Sequence, residues 1–237
     1  MAQPGSLYIT RDRLAGGLWG LLIGSAMGAP YAHHVAEELP AVAMIDFEPP
    51  TGFSRSYADV PPRTWTMEGA HALCLLHALL LHEQFGLDDL TERVLGWAEM
   101  GLYSVDSCKP ANDPETADMV QSLLNVPAGH ASQDTVRADD RSALIRMLPL
   151  VLCHLGSEVE LVAKAVRLSS IKTAHRFAKT ASVMYALWAR AELDAKPAPW
   201  TYAEARLREL GPMAGLATAD IEQVLDREHG TYASGSS

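Results

Sequence analysis

Apolar residues recur every three or four positions along almost the whole chain, and strict alternation of apolar and polar positions is nearly absent. The first pattern buries one stripe of an α-helix and the second one face of a strand, so the chain is predicted to be all-α. Helices are expected over residues 11–27, 67–84, 88–103, 114–125, 140–155, 157–170, 174–193, 201–210 and 218–228. The stretch 67–84 carries Ala70, Leu73, Leu75, Leu76, Leu79, Leu80 and Leu81 with no broad polar face. A helix that is apolar all round belongs inside a bundle. The stretch 174–193 has small residues at Ala178, Ala181, Ser182, Ala186 and Ala189, which let a neighbouring helix approach closely.

Two segments lack any period. "YAHHVAEELPAVAMIDFEPPTGFSRSYADVPPR" separates the first two helices, and "VPAGHASQDTVRADD" precedes the one beginning near Arg141. Loops of that length in a compact domain are usually functional or mobile. The end of the chain, residues 229–237, reads as a frayed tail. There is no internal repeat and no glycine-rich phosphate fingerprint after a strand.

Chain length narrows this to one domain, residues 1–237 with a core over about 11–228, since 237 residues close one substantial core. A net charge of −10 with no dense run of Lys and Arg repels phosphate backbones, which argues against nucleic acid as a partner. Three cysteines, two of them in apolar helical runs, read as reduced thiols of a cytoplasmic protein. Arg11 and Arg13 before "LAGGLWGLLIGSAMGAP" imitate a leader peptide. The glycines that interrupt it, and a length below the ~20 apolar residues that span a bilayer, favour a buried helix with close-packing glycines and no membrane contact.

Several stretches, in order, resemble the ADP-ribosylglycohydrolases, the family of the dinitrogen reductase-activating glycohydrolase. "RLAGGLWGLLIGSAMGAP" is similar to that family's opening helix, R-x-x-G-a-l-L-G-l-a-x-G-D-A-L-G-a-P. "WTMEGAHAL" stands where the family has W-T-D-D-T-x-x-A-L, and "WAEMGLY" matches W-x-x-x-G-x-Y. "DRSALIRMLPL" corresponds to G-N-G-S-L-M-R-x-x-P-L, and "SSIKTAHRFAKTA" to a helix with S-x-x-T-H and a string of alanines. The likeness spans about residues 11 to 193.

The resemblance implies an orthogonal all-α bundle that holds two Mg²⁺ ions in a cleft and hydrolyses the glycosidic bond of ADP-ribosylated side chains. It also implies ligands from the T-D-D triplet and from a D-x-D-[ST] motif near the C-terminus. This chain departs from the pattern at those positions. Thr66 is kept, but the two acids read Met67 and Glu68, and no D-x-D-[ST] is present. The family's last helix would begin about where the chain ends, so a shortened member is expected. The Asp of G-D-A-L-G is Ser25, the following Glu is Ala32, Asn-Gly reads Arg141 and Ser142, and Thr-His reads Lys172 and Thr173. Arg146 and Pro149 survive. Mg²⁺ prefers a near-octahedral oxygen shell, so no metal site and no cofactor is expected here.

The same residues can be read without the family. Glu68 and His71 have the E-x-x-H spacing of di-iron bundles, but those need a second copy, which the chain lacks. Thr66 is a good N-cap, Glu68 complements the helix dipole, and His71 suits a core position. His71, Cys74 and His77 step around the helix by about 60° each and fan out too widely for one zinc ion. Asp139 and Asp140 are either N-terminal acids of their helix or a pair facing the cleft that holds Glu68. Arg146 either pairs with a buried acid or receives an anionic substrate. Asp106 and Asp113 are secondary candidates.

The expected function is that of a divergent relative whose cleft works without metal. A carboxyl walled in by apolar side chains can serve as a general acid or base, so a closed apolar pocket is expected around Glu68. Glu68 and Asp140 are the candidate catalytic residues, with Ser25, Trp65, Thr66, His71, Asp139 and Arg146 as substrate contacts. The partner would be a small molecule. The alternatives are a pseudoenzyme that binds a ligand or partner, and a residual glycohydrolase. A shortened C-terminus would expose apolar surface, from which a two-fold homodimer is expected.

Overall fold

The computed structural model describes residues 4–81, 86–110, 117, 120, 144, 146–170 and 176–229. Every regular element among them is helical, as the periodicity predicts. The chain forms two compact units, Met1–Ala128 and Gly129–Ser237.

The first unit contains α1 (Pro4–Gly28), α2 (Met67–Leu81) and α3 (Leu87–Met100). α1 starts seven residues before the expected start, because Pro4 can open a helix with its fixed φ while the single apolar cluster Leu7, Tyr8 and Ile9 sets no helical period. Its buried stripe is narrow: Leu22 and Ala26 are shielded, whereas Trp19 is 60% exposed and Ile23 46%. A Cβ added at Gly16, Gly20, Gly24 or Gly28 would meet no atom of the described residues within 4 Å, so among these residues the expected close packing at the glycines is replaced by an open face.

α2 packs against both α1 and α3 and buries Met67, Ala70, His71, Ala72, Cys74, Leu75 and Ala78. Leu75, its fully buried leucine, contributes on the order of 1.5–3 kcal/mol, whereas Leu80 and Leu81 at its C-terminal end are exposed, so the helix is not buried on every side among the described residues. α3 shields Leu90, Val94 and Trp97, at the i, i+4, i+7 spacing of a single face. It ends at Met100, not at the expected residue 103. Gly101 takes φ 70 and its N–H returns to the carbonyl of Trp97, the left-handed cap that only glycine adopts without strain.

The unpatterned segment after α1 is tied down locally. Short 3₁₀ turns occupy Ala29–Tyr31, Ala36–Glu38 and Val42–Met44. The Arg55 guanidinium donates to the carbonyls of Tyr57, Ala58 and Val60. The Tyr31 hydroxyl donates to the carbonyl of Asp46 at 2.9 Å and accepts from its N–H at 3.1 Å.

In the second unit α4 (Met147–Cys153), α5 (Glu158–Ser169), α7 (Pro199–Leu210) and α8 (Thr218–His229) all pack on α6 (Arg176–Leu193). The small residues make this possible: Ala178, Ser182, Ala186, Ala189 and Ala191 are buried along α6. α5 begins at a capping box. Ser157 Oγ accepts from the Glu160 N–H at 3.3 Å while the Glu160 carboxylate accepts from the Ser157 N–H at 2.9 Å. The expected helix 114–125, the start of 140–155 and the tail after 229 lie outside the described residues.

Candidate functional site

The entry of α2 gathers four of the expected site residues. The carbonyl of Thr66 accepts the first helical hydrogen bond, from the Ala70 N–H at 3.1 Å, which makes Thr66 the N-cap by position. Its side chain takes a different partner from the one expected of a cap: the Thr66 hydroxyl donates to the carboxylate of Glu68. The Thr66 N–H points at the Ser25 hydroxyl of α1, 3.3 Å away. Residues 41 positions apart are thereby joined, and Ser25, Thr66 and Glu68 form one polar constellation between two helices.

Trp65 completes it from the side. Its indole lies on the α2 backbone at Gly69, where an added Cβ would sit 2.7 Å from the Trp65 Cγ. The indole N–H donates to the carbonyl of Tyr103 at 2.7 Å. Since an indole has one donor and no acceptor, this bond occupies Trp65's polar capacity. His71, one turn into α2, is 1% exposed and meets Trp97 edge-on with ring centroids 4.8 Å apart. It is a core residue of the α2–α3 contact.

Glu68 is half-buried. The described residues beside it form an open cleft, not the closed apolar pocket expected around Glu68. This shallow cleft, of about 10 Å³, lies next to its partner Thr66 and is bounded by Ala26, Pro30, Arg55, Tyr57, Val60 and Thr66, among others, with Glu68 outside its wall. Thr66 is the residue common to cleft and constellation.

Asp139, Asp140 and Asp113 lie outside the described residues, as do Arg141, Ser142, Lys172 and Thr173. Arg146 belongs to the second unit, fully buried at the N-terminus of α4. Asp106 is exposed in a turn over Val105–Ser107. His77 is exposed while His71 and Cys74 are buried, so the three do not converge, as their helical spacing predicts. Burial pushes the Cys74 thiol up to about 12 and raises that of Cys153.

The family's two Mg²⁺ ions can be tested against these donors. One hydroxyl, of Thr66, and one carboxylate, of Glu68, stand where a triplet with two acids would be, the position of the first acid is Met67, a buried thioether, and Ser25 adds a second hydroxyl from α1. No cluster of three or more His, Cys, Asp or Glu among the described residues could hold a metal ion. Hard cations want carboxylate oxygens in number, and the described donors at this place do not supply them.

Sequence reasoning missed Tyr103 and Gly69. The signal was present in "WAEMGLY" and in the glycine just inside α2, but nothing in the sequence says that two segments 38 positions apart share a hydrogen bond.

The model of the ADP-ribosylglycohydrolase family matches residues 7–234, and the chain belongs to that family. No curated protein matches the chain. No helix among the described residues is long and apolar enough to cross a membrane.

Proposed function

We propose that the chain is a divergent member of its family in which the Ser25–Thr66–Glu68 constellation works without the dinuclear Mg²⁺ centre. Glu68 acts as a general base on a small, neutral or cationic molecule seated in the adjoining cleft. The observation that carries this reading is the Thr66–Glu68 hydrogen bond. The one carboxylate left at the family's acidic triplet is held by a protein hydroxyl. The donor takes one oxygen, and the other, reached by no further donor among the described residues, can accept a proton from a bound O–H or N–H. The carboxylic acid so formed returns the proton later in the cycle.

Replacing Glu68 by Gln preserves size and hydrogen bonding but removes the base. Turnover should fall by 10²-fold or more, the usual range for a lost general base, with circular dichroism unchanged. Full turnover in Glu68→Gln would remove Glu68 from the mechanism.

A second reading is favoured by the shallow, open cleft and the half-buried position of Glu68. In it the site binds a ligand and performs no chemistry. It expects ligand affinity to depend on Thr66 and the cleft wall, and no turnover in either the parent protein or Glu68→Gln.

A further inference from the structure

We propose that Tyr103 is a positioning residue: its hydroxyl anchors the turn to α2 and α3 while its carbonyl holds the indole of Trp65, and through it the entry of α2 that presents Thr66 and Glu68. The inference rests on the reading of Glu68 given above for its functional meaning, but its structural content stands apart.

Tyr103 sits in the turn that follows α3 with φ 66, the left-handed region that a bulky side chain adopts only when its surroundings hold it there. The surroundings do so from several directions. The hydroxyl of Tyr103 lies 2.7 Å from His77 Nδ1 on α2 and accepts from the Arg93 guanidinium at 3.0 Å on α3. Arg93 is itself fixed by two hydrogen bonds to Asp89, at 3.0 and 2.8 Å. One residue on, the Ser104 hydroxyl accepts from the Trp97 indole at 2.8 Å. The turn is therefore anchored to both helices before it offers anything to Trp65.

What it offers is the Tyr103 carbonyl, aimed at the Trp65 indole N–H at 2.7 Å. The Cγ and Cδ1 of that indole lie on the α2 backbone at Gly69, with no room for a Cβ. The ring is thus held between a carbonyl and a helix surface. Trp65 precedes Thr66 directly, and Thr66 holds Glu68, so a displaced indole would swing the cap and release the carboxylate. Tyr103 touches neither Glu68 nor the cleft wall in this chain of contacts; it acts through Trp65.

The test is hydrogen exchange by ¹H–¹⁵N NMR on the full chain without ligand. It follows the Trp65 indole N–H (assigned from its loss in Trp65→Phe), the Thr66 amide, and amides of α6, in the other compact unit, as a reference. Tyr103→Phe removes only the hydroxyl. The proposal expects exchange at the Trp65 indole and the Thr66 amide to quicken tenfold or more while the α6 amides change less than twofold. Unchanged exchange at Trp65 overturns it, and so does a uniform rise everywhere, which marks a general loss of stability. If Tyr103→Phe does not fold, Trp65→Phe serves: the Thr66 amide should again exchange tenfold faster, and an unchanged rate overturns the proposal. Glu68→Gln should leave both rates within twofold of the parent. Failure of the acid–base reading therefore shows in turnover alone, and failure of the positioning role shows in exchange alone.

Discussion

The hydroxyl of Thr66 donates to the carboxylate of Glu68 two residues on, across the first turn of α2. A cap side chain usually serves a backbone N–H; here it serves the one acid that stands in the family's metal-binding triplet. Thr66→Val keeps the volume and removes the donor. It should cost about 1–3 kcal/mol, the range for a hydrogen bond to a charged group, and should loosen ligand binding in the cleft that Thr66 borders. Urea unfolding followed by circular dichroism measures the first effect.

Two glycine substitutions should move stability in opposite directions. Glycine inside a helix is normally worse than alanine by roughly 0.5–1 kcal/mol. At Gly20 an added Cβ meets nothing within 4 Å, so Gly20→Ala should stabilise by about that amount. At Gly69 the same atom would lie 2.7 to 2.8 Å from three atoms of Trp65, so Gly69→Ala should destabilise by about 1–3 kcal/mol and change the Trp65 indole resonance. Thermal unfolding of the pair, compared with the parent, checks both signs.

Much of the fold is legible in the sequence because local physics decides it. Thr66 before an apolar run sets the start of α2, and Ser157 with Glu160 sets that of α5. The end of α3 is equally local. Gly101 is a left-handed cap, and carrying the helix on to residue 103 gives too much weight to Leu102 and Tyr103 and too little to the glycine. The face that α1 buries is not local. Its glycines suggest close packing, yet which stripe is covered depends on where α2 lies, and that is Leu22 and Ala26. The site divides the same way. Thr66 and Glu68 are readable as the opening of one helix, whereas Ser25 enters only through the family's motif and Tyr103 only through a contact between distant segments.

The capping box of α5 allows a separate check in the second unit. Ser157→Ala removes the acceptor of the Glu160 N–H and should lower stability by about 1 kcal/mol. A shift in the urea midpoint with an unchanged slope would register it.

Alkaline pH should weaken the fold. Burial holds the Cys74 thiol at about 12 against an ordinary 9.0, with the positive charge of Arg93 pulling weakly the other way. Above pH 9.0 the unfolded chain therefore loses a proton that the folded chain keeps, and stability falls as pH climbs from 9.0 toward about 12. Below that window Cys74 contributes no pH dependence. Urea midpoints at pH 8, 9, 10 and 11 should decline. Cys74→Ala should flatten the decline, with a remainder from Cys153, whose thiol burial also raises.

If the Ser25–Thr66–Glu68 constellation works without a dinuclear Mg²⁺ centre, the protein should leave these ions in solution. Isothermal titration of the full chain with MgCl₂ and MnCl₂ at neutral pH measures this. No saturable heat is expected up to millimolar ion. Saturable binding of two ions per chain, lost in Glu68→Gln, would contradict it and return Glu68 to the role of a metal ligand.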